Sequence, residues 1–287
     1  MKKVSVFLIA AMIFMLGAVP ISTKHSEIVL TAGDVTSARD IEYAIDTATN
    51  NGTRPGIVTL DSSRGDFLYT ADDRSINIYV SNIVLRSKNG AVLKNCGDGV
   101  FFDAVRANHV TVQGITFYCE GSGIAGGSGH EHVVIRDNSF HVGTYAVGLE
   151  YGRDWKIIGN HAVTESNAVF IIRSDNIDVS RNQLTGYVGV ALDNSRNVRV
   201  LNNKIEAVWH GILLDTGSSY NQVVANKILS TQYSGITFEG ETLYNKILSN
   251  RVMCPTGYPC ELIKVEVPPL SSTNKIEGNK LILDIKR

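Results

Sequence analysis

Residues 198–226 read VRVLNNKIEAVWHGILLDTGSSYNQVVAN. Twice in this stretch a β-branched run closes on an asparagine, VRVLNN at Asn203 and QVVAN at Asn226. Between them stands GILLD (211–215), a small residue followed by apolar positions and an acid. Both motifs recur outward in each direction. The asparagine motif returns as VVIRDN at Asn138, KIIGN at Asn160, IDVSRN at Asn182, KILSN at Asn250 and KIEGN at Asn279. Successive asparagines from Asn138 to Asn279 are therefore 22, 22, 21, 23, 24 and 29 residues apart. The acid motif returns as AVGLE (146–150), GVALD (189–193) and GITFE (235–239). An α-solenoid turn takes about 30 residues or more and is written in helical period, so short alternating runs at this beat predict one coil of a β-solenoid each.

In such a coil, side chains point alternately in and out, and like positions of successive coils stack in columns about 4.8 Å apart. One inward column reads Val110, Val133, Trp155, Ile177 and Val198, then switches to Asn221, Asn245 and Asn274. A second reads Val100, Ile124, Val147, Val190, Ile212 and Ile236. Near-continuous apolar columns are what buried parallel strands require. The repeat asparagines read as a structural amide ladder of the kind seen in cross-β stacks. Ahead of the repeats, residues 36–49 place Ile41, Ala44, Ile45 and Ala48 on one helical stripe, ended by Asn50-Asn51-Gly52. Strands are expected from IVTL (57–60) onward, through FLY (67–69), INIYV (76–80), IVLR (83–86) and AVL (91–93). A helix there would cover the open end of the solenoid, where backbone and core are otherwise exposed.

The chain has 287 residues, 44% hydrophobic and 19% charged, with a net charge of −1. A continuous repeat favours one elongated domain with a long core. The charge balance argues against nucleic acid or a membrane surface as a whole-protein partner. Lys2 and Lys3 precede the apolar run Val4 to Val19, which reads as an export signal over residues 1–23 rather than a span, with an uncleaved anchor as the alternative. No Cys follows that run, which excludes a lipoprotein. The expected organisation is signal (1–23), cap and first strands (24–75) and repeats (76–287). Expected location is secreted, periplasmic or cell-surface, with no membrane association once the signal is cleaved, and a monomer. Outside the cytosol disulfides persist, and Cys96/Cys119 lie one coil apart while Cys254/Cys260 share the loop CPTGYPC. Both pairs are expected to bond, with buried free thiols as the alternative.

The last three coils, SYNQVVANKI (219–228), LYNKILSNRV (243–252) and STNKIEGNKL (272–281), resemble the N-x-I-x-x-N repeats of NosD-type periplasmic proteins. Together with the helix and the GIVTL segment, the chain resembles a right-handed parallel β-helix of the pectin-lyase-like superfamily over roughly residues 30–285. That resemblance implies an all-β parallel β-helix with an N-terminal capping helix. It leaves activity open, since the superfamily holds lyases, hydrolases, epimerases and non-catalytic proteins.

Several columns point outward. Asp103, Glu150, Asp193, Asp215 and Glu239 close the second-strand motif, and the last three lie on consecutive coils. Carboxylates this close raise one another's pKa and suit acid–base chemistry on a glycan; they also suit Ca²⁺, or a solvated strand edge. Tyr187, Trp209 and Tyr233 share one repeat position beside them, as sugar-ring supports or as core filling, and His210 follows Trp209. Asp193, Asp215, Glu239 and His210 are thus the candidate catalytic set, with Tyr187, Trp209, Tyr233 and Glu150 binding substrate. His161, Gln183, Lys204, Lys227, Arg251 and Lys280 form a separate, largely basic column, suited to an anionic polymer or to edge protection. His109, His132 and Asp154 share another column, with His130 and Glu131 nearby; two imidazoles and a carboxylate form a transition-metal set, although three coils span about 9.6 Å. The polygalacturonase-like and alginate-epimerase signatures are absent, as are nucleophile-elbow, zincin and phosphate-loop motifs. Two functions remain: an exported protein that binds or processes a polysaccharide, and a non-catalytic NosD-like accessory or surface-binding solenoid.

Overall fold

The computed structural model describes residues 26–68, 74–102, 107–127, 129–230, 232–254, 260–265 and 273–283. Within these, every strand pairing in two long sheets is parallel, and each turn of chain adds one rung to both. The first sheet stacks eleven strands. Three wider rungs, Ser26–Thr31, Gly56–Asp61 and Ile83–Lys88, precede eight three-residue rungs running from Thr111–Gln113 to Lys275–Glu277. The repeat of about 22 residues is thus a β-helix coil, as its spacing predicts.

Tight corners are what let so short a repeat close. Among the positions that adopt left-handed backbone in coil after coil, two frame the first-sheet strand. One is the residue before the repeat asparagine (Asp137, Gly159, Arg181, Asn202, Ala225, Ser249, Gly278), and the other precedes the first-sheet strand (His109, His132, Asp154, Asn176, Asn197, Tyr220, Tyr244). A third corner depends on having no side chain. A Cβ on Gly189, Gly211 or Gly235 would fall 2.2–2.3 Å from Ile205, Ile228 or Val252 in the core. This is the physical reason for the small residue opening GVALD, GILLD and GITFE.

Asn138, Asn160, Asn182, Asn203, Asn226 and Asn250 are buried at the second corner. Each donates from Nδ2 to a backbone carbonyl about one coil back and to the Oδ1 of the next asparagine. Each Oδ1 also accepts the backbone N–H of its predecessor. Asn221, Asn245 and Asn274 form a second, shorter ladder of the same design. No buried backbone group at these bends has to go unpaired, which is what a sharp interior turn needs. The expected aliphatic columns are buried throughout, with Val169 filling the coil between Val147 and Val190.

The expected helix is α1, Ala38–Thr49, two residues shorter at its start than the stripe suggests. Ser37 is its N-cap, and the Asp40 carboxylate gathers the backbone N–H groups of Thr36 and Ser37. Ile41, Ala44, Ile45 and Ala48 are buried, and Glu42 accepts both the backbone and side-chain N–H of Asn77, fastening the helix to the solenoid. The strand Ser26–Thr31, ahead of α1, is a rung that the strand reading from residue 57 misses; it pairs residue for residue with Gly56–Asp61. Both expected disulfides are formed, with Cα–Cα distances of 4.6 Å for Cys96–Cys119 and 5.5 Å for Cys254–Cys260. The proposed signal and Asp103 lie outside the described residues.

Candidate functional site

Two consecutive coils carry uninterrupted eleven-residue strands on the second sheet, Gln183–Asp193 and Lys204–Leu214. Their register slips between Gly186 and Val188, so Val208 is an extra residue and Tyr187 comes level with Trp209. Beyond the slip, Val188, His210 and Ser234 align, and Asp193 and Asp215 follow Leu192 and Leu214, which pair directly.

His210 is the centre of this region. It is only 3% exposed although it lies on the far side of the strand from the core-facing glycine that follows it. Its Nδ1 is 2.8 Å from Thr237 Oγ1 and 3.1 Å from Ser234 Oγ, and the two hydroxyls touch each other. The imidazole tautomer decides which of these atoms donates. Nε2 in turn faces Glu239, whose Oε1 is 3.7 Å away, within ion-pair reach but beyond hydrogen-bond length. His210 is therefore a held group, not a free turn residue.

Tyr187, Trp209 and Tyr233 form a surface ladder instead of core filling: Tyr187 is 45% exposed, and the other two are half-buried. Their rings are nearly parallel, at 6.0 Å and 4.5 Å between centroids. Lys264 Nζ sits 3.5 Å above the Tyr233 ring, and His210 meets both Trp209 and Tyr233 edge-on. This geometry corrects one expectation. Trp209 spends its faces on Tyr187 and Tyr233, and Tyr233 its faces on Trp209 and Lys264, which leaves Tyr187 the most exposed ring of the three.

The carboxylate column is also less continuous than its spacing implies. Ile172 pairs with both Glu150 and Asp193, so it separates them, and Arg173 follows it. Arg173 Nη1 donates to Tyr151 Oη at 2.8 Å and to Glu150 Oε1 at 3.3 Å. Glu150 is thereby tied to a cation two coils from Asp193. Asp193 keeps Asp215 as its neighbour: partial burial, then the Asp215 charge, raises its pKa above the ordinary carboxylate value, with Arg173 opposing. Asp215 accepts the backbone N–H of Thr216. Among the described residues no three His, Cys, Asp or Glu side chains converge enough to hold a metal ion, so these acids do not close into a Ca²⁺ cage of protein ligands.

The same test bears on His109, His132 and Asp154. Their rings and carboxylate follow one another along the axis: His109 and His132 stack at 4.7 Å, and His132 Nδ1 lies 3.5 Å from Asp154, which also accepts from Asn176. All three occupy the left-handed corner before the first-sheet strand, where Asn, Asp and His are the side chains that backbone tolerates best. The set is a corner ladder and not a three-ligand centre. His130 is buried with Nδ1 accepting from Ala107 N–H, and Glu131 pairs with Arg153. The basic column is in register from His161 to Lys280, and Lys204, Lys227, Arg251 and Lys280 are exposed.

Ser234, Thr237, Arg173 and Lys264 are site residues that the sequence reading passed over. Aligning the coils by their corner glycines puts Ser234 level with His210 and would have flagged it.

The model of the right-handed β-helix region matches residues 122–281, and that of the periplasmic copper-binding protein NosD matches residues 42–188. The chain belongs to the right-handed β-helix and NosD families. No curated protein matches the sequence of this β-helix. Among solved structures, DFA-IIIase from Arthrobacter chlorophenolicus A6 aligns over 90% of this chain and 85% of its own, at 11% identity and a TM-score of 0.62. The A-module of mannuronan C-5 epimerase AlgE6 from Azotobacter vinelandii aligns over 88% and 99%, at 15% identity and a TM-score of 0.46. At such identities the DFA-IIIase likeness is one of fold, and the epimerase score carries no argument.

Proposed function

We propose that this β-helix is an exported, periplasmic or surface protein that binds or processes a polysaccharide over coils 187–193, 209–215 and 233–239. The observation that carries the reading is the convergence of a surface aromatic ladder, a hydroxyl-held His210 facing Glu239, and the Asp193–Asp215 pair on consecutive coils. Two disulfides fit an oxidising compartment, and no helix among the described residues is long and apolar enough to cross a membrane. In a glycan complex Tyr187 stacks on a ring, and the edges of Trp209 and Tyr233 wall the site. Asp193, whose pKa burial and the Asp215 charge raise, is the proton donor, and Asp215 on the next coil is its acid–base partner. Glu239 and His210 Nε2 form a second polar pair for a sugar hydroxyl. An acidic face repels polyanions, so an uncharged glycan fits best.

The test is a panel of neutral and uronic polysaccharides, read by reducing ends, by absorbance of unsaturated products and by binding. Asp193→Asn with Asp215→Asn removes charge at nearly constant shape, and His210→Gln removes the imidazole. Activity and binding unchanged in all of these variants would reject the site.

A second reading rests on the NosD match: a non-catalytic accessory solenoid. Metal analysis of the purified protein separates the two. Stoichiometric copper that survives dialysis favours the accessory reading, and its absence with glycan binding favours the first.

A further inference from the structure

Beyond the aromatic ladder, three surface depressions on the outer side of the second sheet run into one another. One lies around Asn95, Tyr118 and His141; the next shares Glu120 and His141 with it; the third shares Thr164 and Glu165 with the second and runs past Tyr187 to Val208 and Leu229. Their floor is a single column in strict register: Tyr118, His141, Val163, Thr185, Glu206 and Leu229. Five rung spacings make this groove about 24 Å long, parallel to the solenoid axis. Tyr118, Val163, Tyr187 and Val208, four of the large hydrophobic side chains that stay exposed, all line it. Clustered exposed apolar side chains on a soluble surface mark a contact site.

We infer that this groove is an extended subsite for a linear, uncharged glycan chain whose end reaches the aromatic ladder. The inference rests on the polysaccharide reading above and gives it a direction and a substrate class. Along the groove, ring and aliphatic surfaces alternate with Thr164, Thr185 and the carboxylates of Glu120, Glu165 and Glu206, which accept hydrogen bonds from hydroxyls. Glu206 is itself paired with Lys204 at 3.2 Å. No Lys or Arg lines the three depressions themselves, and Lys204 of the bordering basic column is engaged by Glu206, so the lining that a polyanion would meet is carboxylate. His141 stacks on Tyr118 at 4.5 Å, and burial, then the neighbouring His161, lowers its pKa, which favours the neutral imidazole.

Calorimetric titration with size-graded ladders of β-glucan, xylan, mannan and fructan oligosaccharides, and with oligogalacturonates as the anionic arm, tests this. Tyr118→Ala and Thr185→Trp change the groove at solvent-reached positions away from His210, and thermal melts confirm their folding. For the best-bound uncharged ladder, affinity is expected to rise with chain length and then level off. Thr185→Trp should lower affinity for the longest chain by about tenfold and leave the shortest unchanged, and Tyr118→Ala should act in the same sense. Affinity independent of length, or both variants binding the longest chain like the parent, overturns the groove. The site at the ladder survives that result if Trp209→Ala still abolishes binding. Tighter binding of oligogalacturonates overturns the uncharged class, and no binding of any ladder removes both the groove and the polysaccharide reading.

Discussion

Asp193 shows how one residue's surroundings set its protonation. Partial burial penalises its charged form, Asp215 on the next coil adds repulsion, and Arg173 on the preceding coil offsets part of both. Its folded pKa therefore lies above the unfolded value of about 3.9. Between those two values the folded chain binds more protons than the unfolded chain, so stability falls as pH rises through that window. Asp193→Asn carries no such charge. The stability of the variant relative to the parent should therefore increase as pH rises from about 4 toward neutrality. Urea melts across that range check it, and a difference constant with pH would show that Asp193 is not perturbed.

The ladder of repeat asparagines holds the second corner of every coil. At Asn203, Oδ1 accepts from the backbone and side chain of Asn182, while Nδ2 donates to Val179 O and Asn226 Oδ1. Asn203→Ala takes a partner from two donors and a carbonyl inside the protein. Leaving buried polar groups unpaired costs about 1–3 kcal/mol each, so the variant should lose about 3 kcal/mol or more. Chemical denaturation measures the loss. A penalty typical of an exposed site, below about 0.5 kcal/mol, would mean that the ladder only fills space. The first-sheet corner differs: its left-handed residues include two histidines and two tyrosines as well as Asn and Asp, so its side chains vary while its backbone does not.

Among the described residues, stacking couples each turn to its neighbours, and α1 covers the first rungs. Cys96–Cys119 joins two consecutive coils across a sequence separation of 23 residues. A loop of that size corresponds to about 3 kcal/mol of stabilisation in the chain-entropy account. Reduction, or the double Cys96→Ser, Cys119→Ser variant, should therefore lower Tm, whereas a melt unaffected by reductant would show that the coils hold without it. The period, the inward columns, the asparagine ladder and the helix stripe could all be read from the chain alone. Each is a local rule repeated in register, and parallel stacking carries position i of one coil onto the same position of the next. Other features depend on how neighbouring coils meet in space. Tyr187 and Trp209 share a repeat position in the sequence, but the register slip between Gly186 and Val188 and the facing of their rings appear only in the fold. His210 meets its hydroxyls 24 and 27 residues further along the chain, and Arg173 reaches back to Glu150 from the coil between Glu150 and Asp193. Spacing places residues in a column, but ring orientation, burial and ion pairing depend on side chains contributed by other coils, and those only the folded solenoid brings together.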